Sequence, residues 1–179
     1  MSIRNKVQES GLLIVDPANW LFPEKQLVGL DLALMMDEFA VLREKLFRER
    51  VQALDPVEFR GKVVALYCSV DAIWPPWAVM LLTARLQEGD PNAGPTSVHY
   101  GTPEEVRLQL SIGGIQAMDT GPYLDGRVMI KACSKEDWAP AMYQALSSRL
   151  LPVVQSLWYG EPCSAVPVYK RQGRTRYAP

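Results

Sequence analysis

Two stretches of this chain repeat one another. Gly61-Lys-Val-Val-Ala-Leu-Tyr-Cys-Ser69 runs alongside Gly126-Arg-Val-Met-Ile-Lys-Ala-Cys-Ser134. Each is followed by an acid, a tryptophan, a proline and an apolar stretch that closes as Ala84-Arg85-Leu86 or Ser148-Arg149-Leu150. Upstream, Leu54-Asp55 answers Met118-Asp119, so the units span about 54–86 and 118–150. In each, an apolar run of strand length feeds an apolar stretch of helical length. Strands this continuously apolar need cover on both faces. The repeat therefore predicts an α/β fold, with a mainly parallel sheet of about five strands flanked by helices.

The remaining pattern fits that class. Gly11–Val15 is an apolar run stopped by Asp16-Pro17, and Gln26–Met35 alternates as a strand through Leu27, Leu30, Leu32 and Leu34. Asp37–Leu54 has helical spacing through Phe39, Leu42, Leu46 and Phe47. Prolines 75 and 76 suit the first turn of the helix ending near Leu86, where a backbone donor is not needed. Thr102-Pro103-Glu104-Glu105 reads as a helix start with a capping box, and Gly113-Gly114 as the end or bend of that helix. Val166–Tyr169 is expected as a last strand. A single domain over residues 1–179 is the expectation from length, with a flexible basic tail from about 171.

Composition narrows the function classes. Net charge is −1 in 179 residues, which argues against a nucleic-acid surface. The opening residues lack an apolar core for a signal sequence. The most apolar region, residues 63–82, is broken by Asp71, Pro75 and Pro76, so no membrane span is expected. An odd number of cysteines without an export signal points to a cytoplasmic protein with reduced thiols.

All three cysteines are followed by serine, at Cys68-Ser69, Cys133-Ser134 and Cys163-Ser164, although the chain holds only ten serines. In the repeat, the thiol falls where strand gives way to helix. Free N–H groups at a helix start lower a thiol pKa, and the thiolate is the form that binds metal. Soft ligands of this kind select zinc, Cu(I) or iron–sulfur clusters. Cys68, Cys133 and Cys163 are thus candidate metal ligands, with Ser69, Ser134 and Ser164 as candidate hydrogen-bond donors to sulfur. The opposite reading makes the cysteines small apolar residues at crowded strand ends and the serines ordinary helix caps. Clustering requires a chain reversal near Leu150-Leu151-Pro152, without which Cys163 would end about 20 Å away at the opposite sheet edge. A fourth ligand would come from Asp71, Glu136, His99, an external molecule or a second subunit, the last making a homo-oligomer.

Two other classes stay open. A cysteine enzyme using Cys68 or Cys133 would need a base, and the chain has a single histidine. No Walker loop, dinucleotide fingerprint or Cys-x-x-Cys pair is present. An interaction or scaffold protein would use Trp74-Pro-Pro-Trp77 and the basic tail Lys170–Arg176, although two tryptophans that pack a helix start onto the sheet are the simpler reading. Asp71 and Glu136 serve equally as paired carboxylates or as charges that compensate a helix start.

Across Ala65-Leu-Tyr-Cys-Ser-Val-Asp-Ala-Ile-Trp-Pro-Pro-Trp-Ala78, Ile130-Lys-Ala-Cys-Ser134 and Gly160-Glu-Pro-Cys-Ser-Ala-Val-Pro167, the chain resembles a Bacteroidetes-type family of bacterial proteins of unknown function. The resemblance covers nearly the whole chain and implies no named activity. It implies a place near iron–sulfur cluster handling, with iron–sulfur assembly proteins as partners. The family pattern lacks His99, and Pro76 departs from it.

Overall fold

The computed structural model describes residues 11–90, 92–132, 138–161 and 164–172. In chain order its strands and helices are β1 (Leu12–Val15), β2 (Leu27–Asp31), α1 (Glu44–Ala53), β3 (Val63–Tyr67), α2 (Pro76–Leu86), β4 (Ser97–Tyr100), α3 (Pro103–Gln116), β5 (Arg127–Lys131), α4 (Pro140–Leu150), β6 (Ser156–Glu161) and β7 (Ser164–Lys170). Short 3-10 turns fill several connections. No helix among the described residues is long and apolar enough to cross a membrane.

The expected α/β class holds, with a difference in how the sheet is divided. Contacts gather the chain into two compact units: a central one, Phe22–Gln109, and a terminal one, Met1–Leu21 with Leu110–Pro179. The central unit carries the parallel sheet β2-β3-β4. The terminal unit carries β1-β5-β6-β7, parallel except for the antiparallel pair β6 and β7. Each repeat thus builds its own sheet around its own apolar strand. β3 is buried along Val63–Leu66 and β5 along Val128–Ile130, as strands covered on both faces must be.

The two units follow one plan, and it extends beyond the repeat seen in sequence. An aspartate stands just after β1 (Asp16) and at the end of β2 (Asp31), and each carboxylate accepts a hydrogen bond from the amide two residues on, at 3.0 Å in both cases. Asp55 and Asp119 do the same to Val57 and Gly121. Gly61 and Asp125 both take positive φ, at 69° and 52°. Trp74 and Trp138 stand two residues before Pro76 and Pro140, and both have a buried indole N–H with no hydrogen-bond partner among the described residues. Tyr100-Gly-Thr-Pro103 answers Tyr159-Gly-Glu-Pro162, with Gly101 and Gly160 at φ 136° and 130°.

This plan corrects the register of the thiols. The interval from Asp55 to Asp119 is the same as from Val63 to Arg127 and from Pro76 to Pro140. In that frame Cys68 answers Ala132, and Cys133 falls one residue later. Matching Gly61 with Gly126 misled because the left-handed turn position that Gly61 fills is taken in the other unit by Asp125.

Local chemistry overrides periodicity at three other points. The strand expected over Gln26–Met35 stops at Asp31, because the carboxylate turns the chain into a 3-10 helix over Leu32–Met35. Leu34, inward in the alternating pattern, is 69% exposed. The helix expected from Asp37 begins at Glu44, since Asp37 accepts from Phe39 and Val41 amides and pairs with Arg43. Gly113 and Gly114 lie inside α3, which continues to Gln116. The capping box is present: Glu105 N–H donates to Thr102 Oγ1 at 3.2 Å, and Thr102 N–H to Glu105 Oε2 at 2.8 Å.

Fully buried Phe47 organises the central core, with Trp74 and Trp77 edge-on at centroid distances of 6.0 and 5.6 Å. Such pairs contribute about 0.5–1.5 kcal/mol each beyond area burial. The tryptophans therefore pack the entry to α2 onto the core, as the simpler reading expected.

Glycine matters most at Gly160. A Cβ there would lie 2.3 Å from Ser164 O, in a backbone conformation that side chains rarely adopt. Gly160→Ala should therefore lower stability by about 3 kcal/mol, read as the midpoint of thermal unfolding. Gly113→Ala, with nothing within 4 Å of the added carbon, should raise stability by up to about 1 kcal/mol.

Candidate functional site

Parallel strands send their carboxyl ends to one edge, where the connecting loops collect. In the central unit that edge holds Asp31 at the end of β2, Cys68-Ser69 after β3, and Gly101-Thr102 after β4. Asp31 Oδ1 accepts from Ser69 N–H at 3.0 Å as well as from Ala33 N–H. Burial pushes the Asp31 carboxyl up, but the hydrogen bonds from Ser69 and Ala33 outweigh it and hold the group below its ordinary value. Cys68 is a half-buried free thiol packed against the core cluster that includes Phe47, Leu66 and Leu82. Ser69 is exposed and serves Asp31.

The terminal unit has the corresponding edge. Asp16 follows β1, and its Oδ2 receives Lys131 Nζ, from the end of β5, at 3.1 Å. The amide of Ala18 and the Lys131 cation hold this carboxyl below its ordinary value against partial desolvation. Lys131 is register partner to Gly160, and Ala132 N–H donates to Gly160 O at 3.3 Å. Glu161, the last residue of β6, pairs with Ser164, the first of β7.

Cys133, Ser134, Glu136 and Cys163 lie outside the described residues. The residues that border them do meet: Ala132, which precedes Cys133, is bonded to the strand that leads into Cys163. The chain reversal that such a meeting requires is present. α4 ends at Leu150, Val153 and Val154 both donate back to Leu150 O, and the next segment returns parallel to β5 as β6. β6 itself was not anticipated, although the phrase Tyr159-Gly160 repeats Tyr100-Gly101 and could have revealed it.

His99 is half-buried within β4 and its Nε2 is 3.0 Å from Ser97 Oγ. Asp71 is exposed. Ser164 is exposed at the start of β7. Among the described residues no three of His, Cys, Asp and Glu gather as a metal site. Of the basic tail, Arg171 is held to Asp125 at 2.5 Å, and its amide donates to Gln155 O at 2.8 Å. Asp16 and Asp31 are the residues that sequence reasoning missed; the shared signal was an apolar strand ending Val15-Asp16 or Leu30-Asp31, with alanine two places on.

The family described as "Protein of unknown function (DUF2480)" matches residues 1–171. The chain belongs to it. No curated protein and no solved structure matches the chain. The DUF2480 description assigns no reaction, so chemistry must be argued from the strand ends.

In this DUF2480 chain the Asp31 carboxylate ties β2 to the loop after Cys68. Asp31→Ala should cost about 1 kcal/mol in thermal or denaturant unfolding. Because the folded carboxyl is depressed, its contribution is complete above the unfolded value and lost as pH falls through the folded one, below about pH 4. The variant should lack that portion of the acid limb. An acid limb that overlays the wild type would show that the carboxylate contributes nothing.

Proposed function

We propose that this protein binds a soft metal centre, an iron–sulfur cluster or zinc, through thiolates at the carboxyl edge of its sheets, without catalysing a reaction. The observation that carries the reading is the bond from Ala132 N–H to Gly160 O, which joins the segments entering Cys133 and Cys163. A thiolate pair at that edge would sit beside Lys131, whose cation favours ionised sulfur. Cys68, Ser69, Ser134 and Ser164 complete the proposed set, with Cys68 and Ser69 following β3 at its carboxyl end. The reading brings with it a reducing, cytoplasmic setting and iron–sulfur assembly proteins as partners.

A second reading follows from Cys68 itself. Its packing against the Phe47 cluster is what a core cysteine shows, and it favours an interaction module in which that thiol is structural.

Metal and acid-labile sulfide measured on protein purified without oxygen test the first reading. Iron with sulfide, or zinc alone, should be present and fall at least tenfold in both Cys133→Ser and Cys163→Ser. Folded, metal-free protein whose thiols resist alkylation would overturn it. Cys68→Ala separates the two readings for that thiol: a ligand takes the metal with it, whereas a packing residue lowers the melting temperature and leaves the metal content unchanged.

A further inference from the structure

β6 and β4 occupy equivalent places, because Tyr159 pairs with the penultimate residue of β5 and Tyr100 with the penultimate residue of β3. Their outer edges differ. β6 is covered by antiparallel β7, whereas β4 pairs with β3 alone among the described residues. After the matching Tyr-Gly phrase, one chain path turns back as a strand and the other becomes α3.

A cavity accompanies each of these strands, and the two are built from the same positions. In the terminal unit Trp138, Pro140, Tyr143, Ser147 and Tyr159 line about 480 Å³, and β7 contributes Val168. In the central unit Trp74, Pro76, Val79, Thr83 and Tyr100, with Met80, line about 650 Å³. Among the described residues no strand supplies a counterpart of Val168 there. Met80 and Tyr100 are left 69% and 62% exposed. The sequence of β4, Ser-Val-His-Tyr, has no lysine, proline or carboxylate of the kind that protects an open edge.

We infer that the free edge of β4 is a docking site for an extended apolar segment of a partner protein. That segment adds antiparallel to β4 and lays one aliphatic side chain against the cavity of Trp74, Met80 and Tyr100, as Val168 of β7, itself 55% exposed, lines the cavity of the other unit. Main-chain hydrogen bonds supply the affinity, and the cavity selects the side chain. A second copy of this chain is the weaker occupant: a stable dimer buries about 800 Å² per partner, and a strand of four residues offers far less. Cys68 is not among the residues that line this cavity.

The test uses the full chain, isotope-labelled for NMR, and a synthetic peptide with the sequence of β7, Ser164–Lys170. Saturable shifts are expected at the amides of Ser97–Tyr100 and at the Trp74 indole. Met80→Glu, at an exposed position, should weaken binding at least tenfold with an unchanged melting temperature. Absence of shifts at β4, equal binding by a scrambled peptide, or unaltered binding to Met80→Glu would overturn the inference. So would sedimentation showing a wild-type dimer that Met80→Glu dissociates, because the edge would then belong to a second copy.

Discussion

The pairing of a central apolar strand with a parallel neighbour on each edge is the constraint on which each unit depends. β3 buries four consecutive residues and β5 three, so each needs cover above and below and a partner on both sides. A helix must then carry the chain back before the next strand can run parallel. Those crossovers deliver Cys68, Asp31 and Thr102 to one edge of one sheet, and Asp16, Lys131 and Gly160 to one edge of the other. The position of chemistry in this molecule is thus a consequence of how its most apolar segments are satisfied.

Polar groups at the strand ends convert that general plan into definite geometry. Asp16 and Asp31 turn the chain out of the sheet by accepting the amide two residues on. Their further partners differ: Asp31 Oδ1 also accepts from the amide of Ser69, whereas Asp16 uses its second oxygen, Oδ2, for the Lys131 ammonium. The units share a scaffold and diverge in what the scaffold presents. The same divergence recurs after Gly101 and Gly160, where a capping box starts a helix in one unit and the antiparallel strand β7 follows in the other.

Much of the fold was legible because periodicity and punctuation agree. The strands around Val63 and Val128, the helices opened by Pro76 and Pro140, and the Thr102 capping box all have strong local signals. The misreadings fall where a single carboxylate outweighs the pattern, as Asp31 does within Gln26–Met35 and Asp37 does before α1. β6 was overlooked because Ser-Leu-Trp-Tyr-Gly-Glu follows directly on an apolar helix, with only Pro152 to mark the break. For the candidate site, the dependence on a reversal near Pro152 could be stated from sequence, but the reversal itself could not.

The sequence by itself determined the class of fold, the repeated strand-to-helix unit, and the residues able to ligate metal or pack a core. These depend on hydrophobic period, turn chemistry and side-chain identity, all local properties. Only the tertiary structure decided that each repeat builds its own sheet, that Ala132 meets Gly160, and that Cys68 packs on the Phe47 cluster. It also decided that, among the described residues, β4 lacks the covering strand β6 possesses. Each of these depends on which strand edges pair, and pairing joins residues far apart in the chain that carry no mark of one another.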